Sequence, residues 1–169
     1  MVHFKDFPEF KPTLTPQQMF KAGIHGGCYF REIKSPKTGK IYTTDDYKKF
    51  KFLRNISLEK LISPTYDKTQ NKFNVKAGSS YETWMEKDWI DESNAPRGWI
   101  EWYCYFYSGR RTSDDERQIK RWINFASKEK GRFRIRFQNI VNRAGGYKPD
   151  LSPTIQQNLL EWGVDASVI

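Results

Sequence analysis

Residues 98–122, GWIEWYCYFYSGRRTSDDERQIKRW, place a dense aromatic run directly before an arginine pair, an acidic triplet and a segment basic on one side. Rings stack on bases while Arg and Lys neutralise phosphates, so the chemistry suggested is recognition of nucleic acid. Asp114, Asp115 and Glu116 suggest a divalent cation held opposite a phosphate, with Arg110, Arg111 or Arg117 stabilising charge. Consecutive helical side chains point about 100° apart, however, so these three do not converge, and helix capping accounts for them without a metal. His25, in GIHGG, is the best single candidate for a general base, although the loop matches neither a Walker nor a Rossmann pattern. A hydrogen-bonded histidine in a structural turn is the simpler account of it. Cys28 is the more plausible reactive thiol, Cys104 a small buried hydrophobe; no serine-nucleophile motif or zinc spacing is present.

The location of charge decides more than its sum. The chain of 169 residues carries a net charge of +9. Residues 110–143 hold 11 basic and 4 acidic side chains, a net of +7, and 8 of the 11 arginines. A second basic stretch, residues 31–54, is mostly lysine, which more often serves solubility than ligand binding. The candidate nucleic-acid contacts are therefore Arg110, Arg111, Arg117, Lys120, Arg121, Lys128, Arg132, Arg134 and Arg136, with Tyr103, Tyr105 and Tyr107 as candidate stacking rings.

The length suits one domain with a real core, and 16 % Phe, Trp and Tyr means that core is built largely from rings. We expect an extended arm over residues 1–14 and one globular domain over residues 15–169. Two cysteines in no paired motif fit a reducing compartment. No apolar stretch is long enough to span a bilayer, and MVHFKDFPEF has no secretory character. An intracellular or virion-associated protein is the expectation, with no membrane partner.

The elements that must position these residues are legible in part. Thr15-Pro16 starts a helix over residues 16–22, which Gly23 ends. Residues 28–33 and 40–43 resemble a β-hairpin around Ser-Pro-Lys-Thr-Gly. Ser79 with Glu82, and Ser113 with Glu116, read as capping boxes, the second opening a helix to about Lys128. Residues 99–107 are ambiguous in period and are read as helix, as is RFRIRFQNIVNR. Ser152-Pro153 with Gln156 caps a last helix ending at Gly163. The fold class is mainly α (α+β), a helical domain with a small hairpin near its N-terminus.

TPQQMFKAGIHGGCYFR, NKFNVKAGSSYETW and the block from Gly98 to Trp122 resemble an uncharacterised family of small proteins and domains of large DNA viruses, bacteria and fungi. The resemblance covers roughly residues 15–141 and implies one fold unit; it brings no activity and no catalytic residue with it.

Taken together, the sequence predicts a basic protein that binds the phosphate backbone of DNA or RNA through an Arg/Lys-rich helical face, without intrinsic catalysis, metal or cofactor. Two alternatives stand beside it. One is a structural protein of a virion or larger assembly, docking other proteins through its Phe-rich arm; the other is a nucleic-acid-processing enzyme with a site near His25.

Overall fold

Thr15 opens the first helix in the computed structural model, which describes residues 1–169. Its hydroxyl accepts the Gln18 amide and the Gln18 side chain accepts the Thr15 N–H at 2.8 Å, so a capping box with Pro16 at the first position forms α1 (Pro16–Ala22). A two-stranded antiparallel hairpin follows, β1 (Ile33–Lys34) and β2 (Ile41–Tyr42), with Ile33 opposite Tyr42. It is shorter than its sequence pattern suggests. Cys28, Tyr29 and Phe30 are all buried, which the alternation of a ribbon does not allow, and the Phe30 amide donates to Leu61 instead. Short 3₁₀ helices then carry the chain to residue 70.

Five further helices complete the molecule: α2 (Tyr81–Glu86), α3 (Trp99–Tyr107), α4 (Asp115–Ala126), α5 (Arg132–Arg143) and α6 (Pro153–Glu161). The architecture is the mainly helical one expected, and both ambiguous segments are helices. For α3 the near-continuous apolarity has a simple cause. Seven of its nine residues are buried, Glu101 among them, so it is a helix wrapped by protein on every side. No helix is long and apolar enough to cross a membrane.

The helix starts differ from the expected capping boxes. For α2 the cap is Ser80, whose hydroxyl accepts the Thr83 amide at 3.3 Å, rather than Ser79. Ser113 caps nothing, and α4 ends at Ala126, before Lys128. Its first turn is held by Asp115, buried, which accepts the Thr112 amide at 2.9 Å and the Trp102 indole N–H at 2.8 Å. A carboxylate that satisfies a core tryptophan is fixed by that contact, which overrides the local capping preference. Ser152 sits at φ 45° with no side-chain cap, and Gln156 donates to the carbonyls of Pro149 and Leu151.

The arm of residues 1–14 folds onto α3. Phe10 is fully buried, with ring centroids 5.2 to 6.3 Å from those of Trp99, Trp102, Tyr103, Phe106 and Trp122. Phe4 and Phe7 pack edge-on against Phe106 at 4.8 and 5.4 Å. The arm thus packs onto the domain, with Phe10 fully buried and Phe4 and Phe7 half-buried, because a ring gains by closing its own core. Replacing Phe10 with Ala should therefore lower stability by about 3 to 5 kcal/mol in urea denaturation, the cost of a cavity at a fully buried ring. An unchanged denaturation midpoint would mean that the arm is an accessory rather than part of the core.

Candidate functional site

Trp99, Trp102 and Trp122 are buried in the core, whereas Trp84, Trp89 and Trp162 are half-buried. All three half-buried tryptophans line one cleft of about 150 Å³. That is the volume of cavity that accommodates one benzene-sized ring. Its walls come from α2 and the turn after it, from α4 and α5, and from the chain leaving α6. The Phe125 ring stacks on Trp162 at 4.6 Å and 22°, and on Phe133 at 5.6 Å and 18°. Gly131 makes the second stack possible. A Cβ there would lie 2.5 Å from the backbone N and O of Ser127, so only glycine lets α5 start against the end of α4.

Two arginines enter this aromatic cleft. Arg132 is exposed, its guanidinium carbon 4.0 Å from the Phe125 ring centroid. Arg121 lies 5.5 Å from the Trp162 ring and 5.7 Å from Trp89, and donates to the Trp89 carbonyl at 3.2 Å and to Gln118 Oε1 at 2.9 Å. Burial, with Arg117 nearby, lowers the Arg121 pKa to about 10, so it remains cationic at neutral pH. Neither arginine belongs to any of the chain's ion pairs.

At the inner end stand His25 and Glu161. His25 Nε2 lies 3.8 Å from Glu161 Oε2, the His25 amide donates to Glu161 Oε1 at 3.1 Å, and Gln157 Nε2 donates to the same oxygen at 3.3 Å. The imidazole is wedged between Tyr29, 5.1 Å away, and the edge of Trp84, 5.5 Å away. Burial draws the His25 pKa below its ordinary value; the Glu161 charge opposes this and Arg31 reinforces it. The ring is thus neutral at neutral pH and offers one donor and one acceptor. The surrounding glycines are structural. The amides of Gly26, Gly27 and Cys28 are all used within the protein, and a Cβ on Gly27 would lie 2.1 Å from the Glu59 carbonyl oxygen. The loop therefore packs tightly on residues 59–72 and offers no free amides to a phosphate.

The nine basic residues singled out from the sequence do not form one stripe. Arg121 and Arg132 reach the cleft. Arg117, its side chain still 39 % exposed, is paired with Asp114 and donates to the Trp89 carbonyl at 3.1 Å. Arg111 is paired with Asp6 at 2.7 Å and, like Arg110, covers a ring, Phe106 and Tyr105 respectively, each at 3.7 Å. Lys120, Lys128 and Arg136 are exposed and unpaired. Arg134 is half-buried and lies about 200° round α5 from Arg132, on the other side of the helix. Burial lowers its pKa.

Among the candidate stacking rings, Tyr103 is fully buried and donates to the Leu14 carbonyl, so it faces no ligand. Tyr105 is half-buried beneath Arg110, and Tyr107 is exposed. Cys28 and Cys104 are buried free thiols whose pKa values burial raises, the reverse of an activated nucleophile. Reading the sequence missed Trp84, Trp89, Phe125, Phe133, Trp162 and Glu161. One of them carried a signal: Trp89 lies in KDWIDES, a large ring among charges with no helical periodicity to explain it. Comparison of the chain with family models, with curated proteins and with solved structures finds no match.

The histidine makes a checkable electrostatic statement. Its pKa is depressed in the folded chain, so the unfolded chain takes up the proton first. Its stabilising contribution is complete above the unfolded value of 6.5 and is lost as pH falls through 6.5 towards the folded value. His25→Gln should therefore lose less stability than the parent between about pH 7.5 and about pH 5.5 in urea denaturation. A larger loss in the variant would show that the buried imidazole is instead held protonated by Glu161.

Proposed function

We propose that the protein binds single-stranded nucleic acid, taking an unpaired base into the aromatic cleft while Arg132 and the exposed cations of α4 and α5 meet the phosphates. One observation carries this reading: the three half-buried tryptophans share a single cleft with two arginines that belong to no ion pair. A ring left at the surface among unpaired guanidinium groups fits the stacking and charge neutralisation that sequence-tolerant binding of single strands requires. The recess supports an unpaired base in particular, since a base enters a pocket only when it leaves its stack. His25, neutral and at the inner end, offers a donor and an acceptor to the edge of such a base. Arg136, one helical turn from Arg132, and Lys120 and Lys128 extend the positive surface beyond the cleft.

The test is a titration with single-stranded DNA of about twelve nucleotides, followed by tryptophan fluorescence. Binding should quench emission. Trp89→Leu should weaken affinity roughly 5- to 150-fold, the loss of about 1 to 3 kcal/mol of stacking on one base. Replacing Arg132 and Arg136 together with Gln should reduce the slope of log affinity against log salt by about 1.4, two contacts at about 0.7 each for a single strand. Variants that bind as tightly as the parent, with the same salt slope, would refute the reading.

A further inference from the structure

A second cavity, of about 410 Å³, adjoins the aromatic cleft and shares with it His25, Tyr29, Gly78, Ser79 and Trp84. Its volume falls in the range of small-molecule sites. Its lining holds three cationic side chains. Arg31, Lys76 and Arg97 line it with Ser79, Ser80 and Tyr81, and no Asp or Glu is among its lining residues. Neither Arg31 nor Lys76 belongs to any ion pair. Arg31 donates to the Cys28 carbonyl at 3.2 Å, and the Lys76 ammonium lies 5.8 Å from the Tyr66 ring.

Two buried donors on residues of this lining have no partner in the protein, and one buried acceptor, Glu92 Oε1, has none either. Arg97 is 2 % exposed, and its Nη atoms bond Asp46 and the carbonyls of Arg31, Tyr42 and Thr43, yet its Nε–H is unused. Tyr81 is 6 % exposed and its hydroxyl is likewise unpartnered. Burial, and after it the Glu92 carboxylate outside the lining, raises the Tyr81 pKa and keeps that hydroxyl a donor. Leaving a buried donor unsatisfied costs about 1 to 3 kcal/mol; both atoms are shielded from solvent, and Tyr81 has the Glu92 carboxylate as a charged neighbour, so the groups a ligand in the cavity meets first are Arg31 and Lys76.

We propose that this lobe holds the phosphate monoester of a nucleotide whose base lies in the aromatic lobe. The ligand is then a free mononucleotide or the phosphorylated end of a strand, in preference to an internal nucleotide. The inference rests on the nucleic-acid reading above and names the part of the ligand that reading leaves open. A dianionic phosphate matches the two cations of the lining that belong to no ion pair, Arg31 and Lys76. The wall shared through His25 and Trp84 makes the two lobes one site, stacking on one side and charge on the other.

Calorimetric titration with adenosine 5′-monophosphate, adenosine and inorganic phosphate, and with a single strand bearing or lacking a terminal phosphate, tests it. The monophosphate should bind at least about tenfold more tightly than the nucleoside. That advantage should vanish in Arg31→Gln combined with Lys76→Gln and persist in Arg31→Lys, which keeps the charge if the glutamine variant folds poorly. Preference for the phosphorylated strand over the mononucleotide identifies a strand end as the ligand, and the reverse preference a free nucleotide. Equal affinity for nucleoside and monophosphate, or an advantage unaffected by the double variant, overturns the inference. If unphosphorylated strands still quench Trp89 in that case, the nucleic-acid reading survives alone. If only inorganic phosphate binds, both fall together.

Discussion

Everything in this molecule depends on burying one aromatic helix from all sides. α3 carries Trp99, Trp102, Tyr103, Tyr105, Phe106 and Tyr107 within nine residues, and seven of the nine positions are removed from solvent. No single neighbour can cover so many rings, so the chain surrounds α3 with whatever it has: the Phe-bearing arm, α1, α4 and the segment after α6. The polar ends of those rings then dictate the connections. Trp102 holds Asp115 at the start of α4, Trp99 donates to the Gln118 carbonyl, Tyr103 to Leu14 and Trp122 to Trp162. Two of these bonds tie α4 to α3, one ties in the arm and one the chain after α6, because a buried N–H or O–H without an acceptor is costly.

The start of α3 is anchored by charge as well as by rings. Arg97, buried, meets Asp46 and three carbonyls of the hairpin region, and its own carbonyl accepts the Tyr29 hydroxyl, which in turn accepts the Glu101 amide. Burial raises the pKa of Glu101, while the Arg97 charge and amide pull the other way. This network locks the hairpin and the glycine loop to the front of α3, which brings His25 to its place beside Glu161 of α6. Removing one partner would leave another charge buried alone, so the arrangement is rigid.

A core made of rings leaves some of them at its boundary. Trp84, Trp89 and Trp162, with Phe125 and Phe133, close no further layer and so face one another across a gap. Where a surface arginine meets such a ring it stacks on it, as Arg132 does on Phe125, Arg111 on Phe106 and Arg110 on Tyr105. The same habit therefore produces two kinds of guanidinium. Those backed by a carboxylate, Arg111 and Arg117, serve the fold, and those without one, Arg121, Arg132 and Arg31, leave positive charge around the cavities.

Local chemistry was readable wherever a short stretch of chain decides the outcome. The Thr15-Pro16 helix start, the turn between the strands, helical α5 and the apolar face of α4 follow from propensity, capping and period, which involve neighbours a few residues apart. The concentration of arginine in residues 110–143 was equally plain, and so was the aromatic character of the core. Which arginines stay free was decided only by tertiary contact. Asp6 claims Arg111 across more than a hundred residues, Asp114 takes Arg117, and the Trp89 carbonyl turns Arg121 inward. The cavities belong to the same category, for their walls join residues 25, 84, 125 and 162. Composition states how many rings and charges a chain must place; only the packing of distant segments determines which of them close the core and which are left facing a gap.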